Sequence, residues 1–204
     1  MPKGKSTKER IKDEALNLFS QYGFAGGSVR DIGKKAGVRE SALYNYFPSK
    51  KAILNELIND AKKYSIGVEL ITDELLEKLS TPKIFIESFV NVLLKEWKSE
   101  KQKKYLKLVL IEQFRSENLK DESKSKISVN LLIEETIKIW EMIFTQMHNY
   151  KFIKKQDPSI LAKEFVYPLF MLRLQHLTTE KTNWELLNKK SEEHINYFWN
   201  SIKK

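Results

Sequence analysis

Six of the seven glycines in this 204-residue chain lie within its first 37 residues, and none follows Gly67. The 137 residues after Gly67 therefore have few routes into the φ > 0 conformations that tight hairpins require. Leu, Lys, Glu and Ile dominate that stretch, and these residues favour helix. The chain has two textures: a short N-terminal segment with tight turns, then a long helical body. Strands are not needed anywhere, and the predicted fold class is all-α.

The prolines and the apolar spacing agree. Thr81-Pro82 and Asp157-Pro158 each place a capping residue before a proline, the usual start of a helix. Ser49, after Pro48, can cap the next helix. Only Pro168 falls inside an apolar helical pattern, where a kink or local bulge is expected. Leu54, Leu57, Ala61, Tyr64, Val68, Ile71, Leu75 and Leu79 step by three or four. This predicts one long or bent helix from about residue 50 to 79, weakest at Gly67. Further helices are expected around Phe85–Leu93, Leu106–Phe114, Val129–Met147, Leu161–His176 and Trp184–Ile202, with a loop from Ser116 to Lys126.

Several function classes are excluded early. Without cysteine there is no disulfide framework, zinc–cysteine site or cysteine nucleophile. His148, His176 and His194 are far apart in sequence, so no metal site is expected. There is no Ser-His-Asp ordering, no His-x-x-x-His, no E-x-x-H and no phosphate loop, so the chain is not expected to be an enzyme. The Gly23–Ser28 turn lacks both a Walker lysine and a preceding strand. No apolar run approaches the ~18 residues of a membrane span, and the Lys-rich start carries no secretory signal. The chain reads as a soluble cytoplasmic protein without membrane partners or cofactors.

The formal charge is +9, and its distribution is uneven. Residues 1–50 hold ten basic against five acidic side chains, and residues 51–204 hold 26 against 22. A basic end on a nearly balanced body suits a polyanion-binding head. A solubilising lysine surplus would give the same count.

The head carries a specific pattern. Ser6-x-x-Glu9 is a capping box that starts an amphipathic helix with Ile11, Ala15, Leu18 and Phe19 inward, ending at Tyr22-Gly23. Ser28 and Asp31 cap a second, short helix with Val29, Ile32 and Ala36 inside. Gly37 can end it in the left-handed conformation. Val38 plugs the turn, and Leu43 and Phe47 face inward from a third helix. Two helices of about two turns joined by a glycine turn make a helix-turn-helix. Outward on the second of that pair stand Arg39, Glu40, Ser41, Ala42, Tyr44, Asn45 and Tyr46. This is not the Lys/Glu mixture of a solvated face, and a DNA major groove accepts such a helix.

The segment S-V-R-D-I-G-K-K-A-G-V followed by A-L-Y-N-Y-F-P-S-K-K-A-I-L resembles the DNA-binding domain of the TetR family of bacterial transcriptional regulators, over residues 7 to about 54. The resemblance implies a nine-helix, two-domain, Ω-shaped homodimer. Residues 1–48 would be the helix-turn-helix domain and residues 49–204 a helical ligand-binding and dimerisation domain. It implies that Ser28 meets a phosphate, that Arg30 matches a position that reaches a base in some members, that Tyr44 contacts phosphate or base, and that Tyr46 makes a neighbouring phosphate contact. Ala42 would face a thymine methyl or base edge, and Lys50 would attract phosphate at the start of the fourth helix. Arg39, Ser41 and Asn45 complete the expected DNA-binding set. Arg39 stands where a hydroxyl cap is common, Ser41 replaces a common glycine, Asn45 a common histidine, and Gly33 a common alanine. Glu40 either accepts from a cytosine amino group or pairs with a neighbouring lysine.

The body is rich in aromatics. The resemblance turns Trp97, Tyr105, Phe114, Trp140, Phe144 and Phe170 into candidate lining of a ligand pocket, with Arg173 as a polar partner. Arg173 equally suits a salt bridge across a dimer, and His176 an interface position. Gln113 and Gln146 are further polar candidates. The expected function is that of a DNA-binding transcriptional regulator, a repressor on a palindromic double-stranded operator, released by a small apolar or amphipathic effector. The alternative is a helix-turn-helix regulator controlled by a protein partner or constitutive, with no ligand.

Overall fold

The computed structural model describes residues 5–66, 70–116, 127–177 and 182–204. Among these it contains ten α-helices: α1 (Thr7–Gly26), α2 (Val29–Ala36), α3 (Glu40–Leu43), α4 (Lys50–Ile66), α5 (Asp73–Leu76), α6 (Pro82–Trp97), α7 (Glu100–Ser116), α8 (Asn130–Asn149), α9 (Pro158–Leu177) and α10 (Trp184–Ile202). A 3-10 turn, Glu77–Ser80, follows α5. The extended backbone pairing among the described residues is one isolated bridge between Ile153 and Lys203. No described helix is long and apolar enough to cross a membrane. The chain divides into two compact units, residues 1–62 with 104–129 and residues 63–103 with 130–204, so the division falls inside α4 and α7.

The first unit is built on local rules. At Ser6 the hydroxyl accepts from the Glu9 amide at 3.2 Å, and the Ser6 amide donates to the Glu9 carboxylate at 2.8 Å, closing the capping box. Ile11, Ala15, Leu18 and Phe19 are buried along α1. Regular helix breaks at Gly23, with φ 69° and ψ 175°, before one last turn to Gly26. The Ser28 hydroxyl accepts from the Asp31 amide at 3.0 Å to start α2, and Gly37 ends it at φ 70°, ψ 34°. Gly33 in place of alanine also has a reason. The Val38 amide donates to the Gly33 carbonyl at 2.9 Å, and a Cβ on Gly33 would lie 3.0 Å from the Val38 carbonyl oxygen. Leu43 and Phe47 are buried as predicted, and Ile53 and Leu57 of α4 join them in the core.

One departure from the sequence expectation has a physical cause. The single helix to residue 79 is replaced by α4 ending at Ile66 and a fresh start at α5. Thr72 makes that start, its hydroxyl accepting from the Leu75 amide at 3.3 Å. Stepping of apolar residues by three or four continues across such a break, so spacing alone does not detect it. Gly67 and most of the expected Ser116–Lys126 loop lie outside the described residues. Pro168, expected to kink its helix or open a local bulge, lies inside α9. Pro168 and Glu164 are both exposed, so water can take the carbonyl that the missing N–H leaves open.

The second unit is an aromatic core centred on Trp140. Its ring lies 5.0 Å from Phe89, 5.3 Å from Phe144 and 4.3 Å from Phe165, centroid to centroid. Phe198 of α10 completes the cluster at 5.1 Å from Phe165. These are the tilted and edge-on separations that aromatic pairs favour, and they tie α6, α8, α9 and α10 together. His194 joins from α10, its ring stacked on Phe165 and its Nε2 3.0 Å from the Phe165 carbonyl.

Candidate nucleic-acid interface and effector pocket

The recognition segment is shorter than two turns of helix. Arg39 occupies the N-cap of α3 without a side-chain capping bond, and α3 itself is four residues long. Beyond it the chain stays coiled through three-residue turns, with the Asn45 amide donating to the Ala42 carbonyl at 3.2 Å and the Tyr46 amide to the Leu43 carbonyl at 2.9 Å. Arginine lacks the short oxygen that a cap needs, and Pro48 follows closely, so neither end extends the helix. Leu43 and Phe47 anchor this segment inward. Arg39, Ser41, Tyr44, Asn45 and Tyr46 are exposed and Ala42 is half-buried. The two tyrosines leave 46% and 43% of their surface open, which large aromatics packed on neighbouring helices would not do.

Ser28, Arg30 and Arg39 line one open cleft between α2 and α3, together with Lys34. The one proton of the Ser28 hydroxyl is taken there: the hydroxyl accepts from the Asp31 amide and donates to the Asp31 carboxylate at 2.5 Å. A phosphate at Ser28 would have to take that proton from Asp31. Lys50 stands apart from the others. Its ammonium lies over the ring of Phe24 at 4.5 Å and that of Phe19 at 5.8 Å. Burial pushes its pKa below the ordinary lysine value, and the Glu112 carboxylate opposes that shift.

The first unit also contains a clamp absent from the sequence reading. On α7, the Glu112 carboxylate accepts from the Phe24 amide at 2.7 Å, and the Arg115 guanidinium donates to the Tyr22 carbonyl at 3.0 Å. These backbone groups flank Gly23, the residue with positive φ that breaks α1. Lys104 reaches Asn17 at 2.6 Å, and the Tyr105 hydroxyl donates to Asp60 at 3.1 Å. The available signal was Glu112 itself: it lies three residues after Val109, on the buried stripe of α7, where an apolar residue is expected.

The pocket candidates separate. Trp97, Trp140, Phe170 and Arg173 line one cavity of about 30 Å3 in the second unit. Tyr105 is hydrogen-bonded within the first unit, and Phe114 is 65% exposed. Phe144 is buried against Trp140, Phe165 and Phe198 instead of lining the cavity. Of the other polar candidates, Gln113 accepts from the Val129 amide at 2.6 Å and Gln146 is exposed. Phe89, Leu132, Ile133 and Thr136 complete much of the wall. Periodicity placed residues on helices but not on one face of one cavity.

Arg173 is 3% exposed. Its Nη2 donates to Gln102 at 3.1 Å and its guanidinium lies 5.4 Å from the centre of the Trp97 ring. The Nε is buried without a hydrogen-bond partner. Burial pushes the pKa of this arginine down to about 10.

Residues 11–57 match the family described as bacterial regulatory proteins, tetR family. An uncharacterised helix-turn-helix regulator of Bacillus subtilis, YdgC, is 40% identical over 74 residues, which cover 36% of each chain. The match thus spans little more than a third of that curated relative. Similarity of fold extends further. A TetR-family structure from Mesorhizobium loti superposes with a TM-score of 0.70 over 97% of both chains at 16% identity. SmeT, the repressor of the Stenotrophomonas maltophilia multidrug efflux pump SmeDEF, superposes in its triclosan complex with a TM-score of 0.69 at 16% identity, over 98% of this chain and 93% of its own. The helix-turn-helix segment of this chain thus matches the TetR-family model over residues 11–57, and the chain shares the fold of solved TetR-family regulators.

Proposed function

We propose that the chain is a transcriptional repressor that binds a palindromic double-stranded operator as a homodimer and leaves it when a small apolar or amphipathic effector binds. Residues 1–48 form the reading part, and residues 49–204 the ligand-binding and dimerising part. The observation that carries the DNA reading is the exposed row Arg39, Ser41, Tyr44, Asn45 and Tyr46, held by the buried anchors Leu43 and Phe47. With Ala42 this row reads the major groove, while Ser28 and Arg30 at the start of α2 serve the backbone and flanking bases. Lys50 contributes from the start of α4 through its positive charge.

Dimerisation is supported by Ile160, Tyr167 and Met171 on α9 and Tyr197 on α10, each at least half exposed. Large apolar side chains exposed in rows favour association. Effector control is supported by the apolar cavity and by the complex of SmeT, a neighbour in fold, with triclosan. One observation favours the alternative, a constitutive or partner-controlled regulator. A cavity of about 30 Å3 is far below the roughly 300–1,000 Å3 of drug-sized sites, so an effector must displace side chains to enter.

The test is selection of genomic DNA on the full-length protein, followed by footprinting. The expected footprint has two half-sites about 34 Å apart, with affinity falling about 1,000- to 100,000-fold between 50 and 200 mM salt for roughly six to ten neutralised phosphates. A single unpaired half-site, or binding indifferent to salt, would sink the reading.

A further inference from the structure

The cavity of the second unit is apolar except at Arg173 and Thr136. Arg173 is the one charged residue in its wall, and among the described residues it has no acidic partner within ion-pairing distance. A guanidinium removed from water without a counter-charge is strongly unfavourable. The contacts it has are with neutral groups, the Gln102 side-chain oxygen and the face of Trp97. Its Nε–H has no partner at all. Nε and the neighbouring amino group form the planar two-donor edge that fits a carboxylate. The rest of the wall, including Trp140 and Phe170, offers apolar surface.

We propose that the effector is an amphipathic monocarboxylate, its carboxylate received by Arg173 and its apolar body lodged among Trp97, Trp140 and Phe170. This rests on the effector reading above and narrows it to one chemical class. One unpaired positive charge calls for one negative charge, and a doubly charged phosphate would be left half neutralised. A neutral acyl chain or quinone would leave the guanidinium as it is now, buried and unpaired. The cavity has room for about one or two water molecules, hence for a head group at Arg173. The tail must push side chains aside, which couples binding to rearrangement of the unit.

The experiment compares matched probes on the full-length protein by calorimetry and thermal shift: dodecanoate, methyl dodecanoate and dodecanol, and 2-naphthoate beside 2-naphthol. At least one acid is expected to bind wild type ten-fold or more tighter than its neutral counterparts and to weaken DNA binding. Arg173→Gln should bring acid and alcohol within about three-fold of each other while leaving alcohol binding in place. If acid, ester and alcohol bind wild type equally, the carboxylate proposal falls and the effector reading stands. If none of the probes binds, both the carboxylate proposal and its apolar-pocket premise fall. Because the ester comparison uses wild type alone, the proposal remains testable even if Arg173→Gln fails to fold.

Discussion

Each unit of the chain buries one charged side chain among its described residues, and the two are used differently. Glu112, 9% exposed, gives its carboxylate to the Phe24 amide and faces the Lys50 ammonium. Arg173, 3% exposed, has a neutral amide for company and a donor left over. A buried charge that is hydrogen-bonded and faces an opposite charge within the chain holds the fold together. A buried charge with capacity to spare makes the fold less stable than an apolar residue would, and its use lies in what can arrive from outside. The same kind of sequence misfit, a charged residue on an apolar helical stripe, thus marks a clamp in one unit and a receptor in the other.

The contrast breaks most visibly at Glu112. Glu112→Leu leaves the Phe24 N–H without its acceptor and Lys50 without its opposing charge, and it should cost about 2–3 kcal/mol in urea unfolding. Next comes Gly23→Ala. Its left-handed backbone disfavours any side chain, and a Cβ there would collide with the Arg115 guanidinium, forcing it off the Tyr22 carbonyl. The expected loss is about 1–2 kcal/mol, with weakened DNA binding. Arg173→Met should change stability in the opposite direction, raising it by about 1 kcal/mol as an unpaired charge gives way to an apolar side chain of similar length. A loss there would place Arg173 with Glu112 as a structural group.

The smallest effect is a pH dependence at His194. Burial, the larger influence, lowers its pKa below the ordinary histidine value, against the hydrogen bond to Phe165 and the charge of Glu164. The unfolded chain then takes up a proton more readily than the folded one. The contribution of this histidine to stability is complete above about pH 6.5 and is lost as pH falls below it. Wild type should therefore lose stability relative to His194→Gln between pH 7.5 and 5; parallel curves would remove His194 from the account.

How far the sequence could be read follows the range of the interactions. In the head, the Ser6–Glu9 box, the Ser28–Asp31 cap and left-handed Gly37 are each decided within three or four residues, so pattern and structure coincide. The inward set Ile32, Leu43 and Phe47 follows from the same periodicity. What escaped is long-range. The partner of the Phe24 amide lies 88 residues away, and the bend of Lys50 over Phe24 depends on where the Gly23 break sends the chain. In the body, helices were legible and faces only in part. Trp97, Trp140, Phe170 and Arg173 meet, whereas Tyr105 and Phe114 belong to the portion of α7 packed in the first unit. The end of α4 was hidden because an N-cap at Thr72 competes with a pattern that tolerates either outcome.

The brevity of α3 has a thermodynamic consequence. One uncapped turn cannot hold itself against its own backbone entropy, so in free protein the few turn hydrogen bonds of residues 42–47 depend on the buried anchors Leu43 and Phe47 to keep Tyr44, Asn45 and Tyr46 in place. Amide protons of residues 40–46 should therefore exchange with deuterium faster than those of α1 or α2, and slow when an operator is bound. Ordering that segment draws on part of the contact energy. A chain that reads DNA through a turn it must first settle binds any sequence more weakly than a rigid reader would. Because that cost falls on every sequence alike, it lowers affinity without changing the preference between sequences.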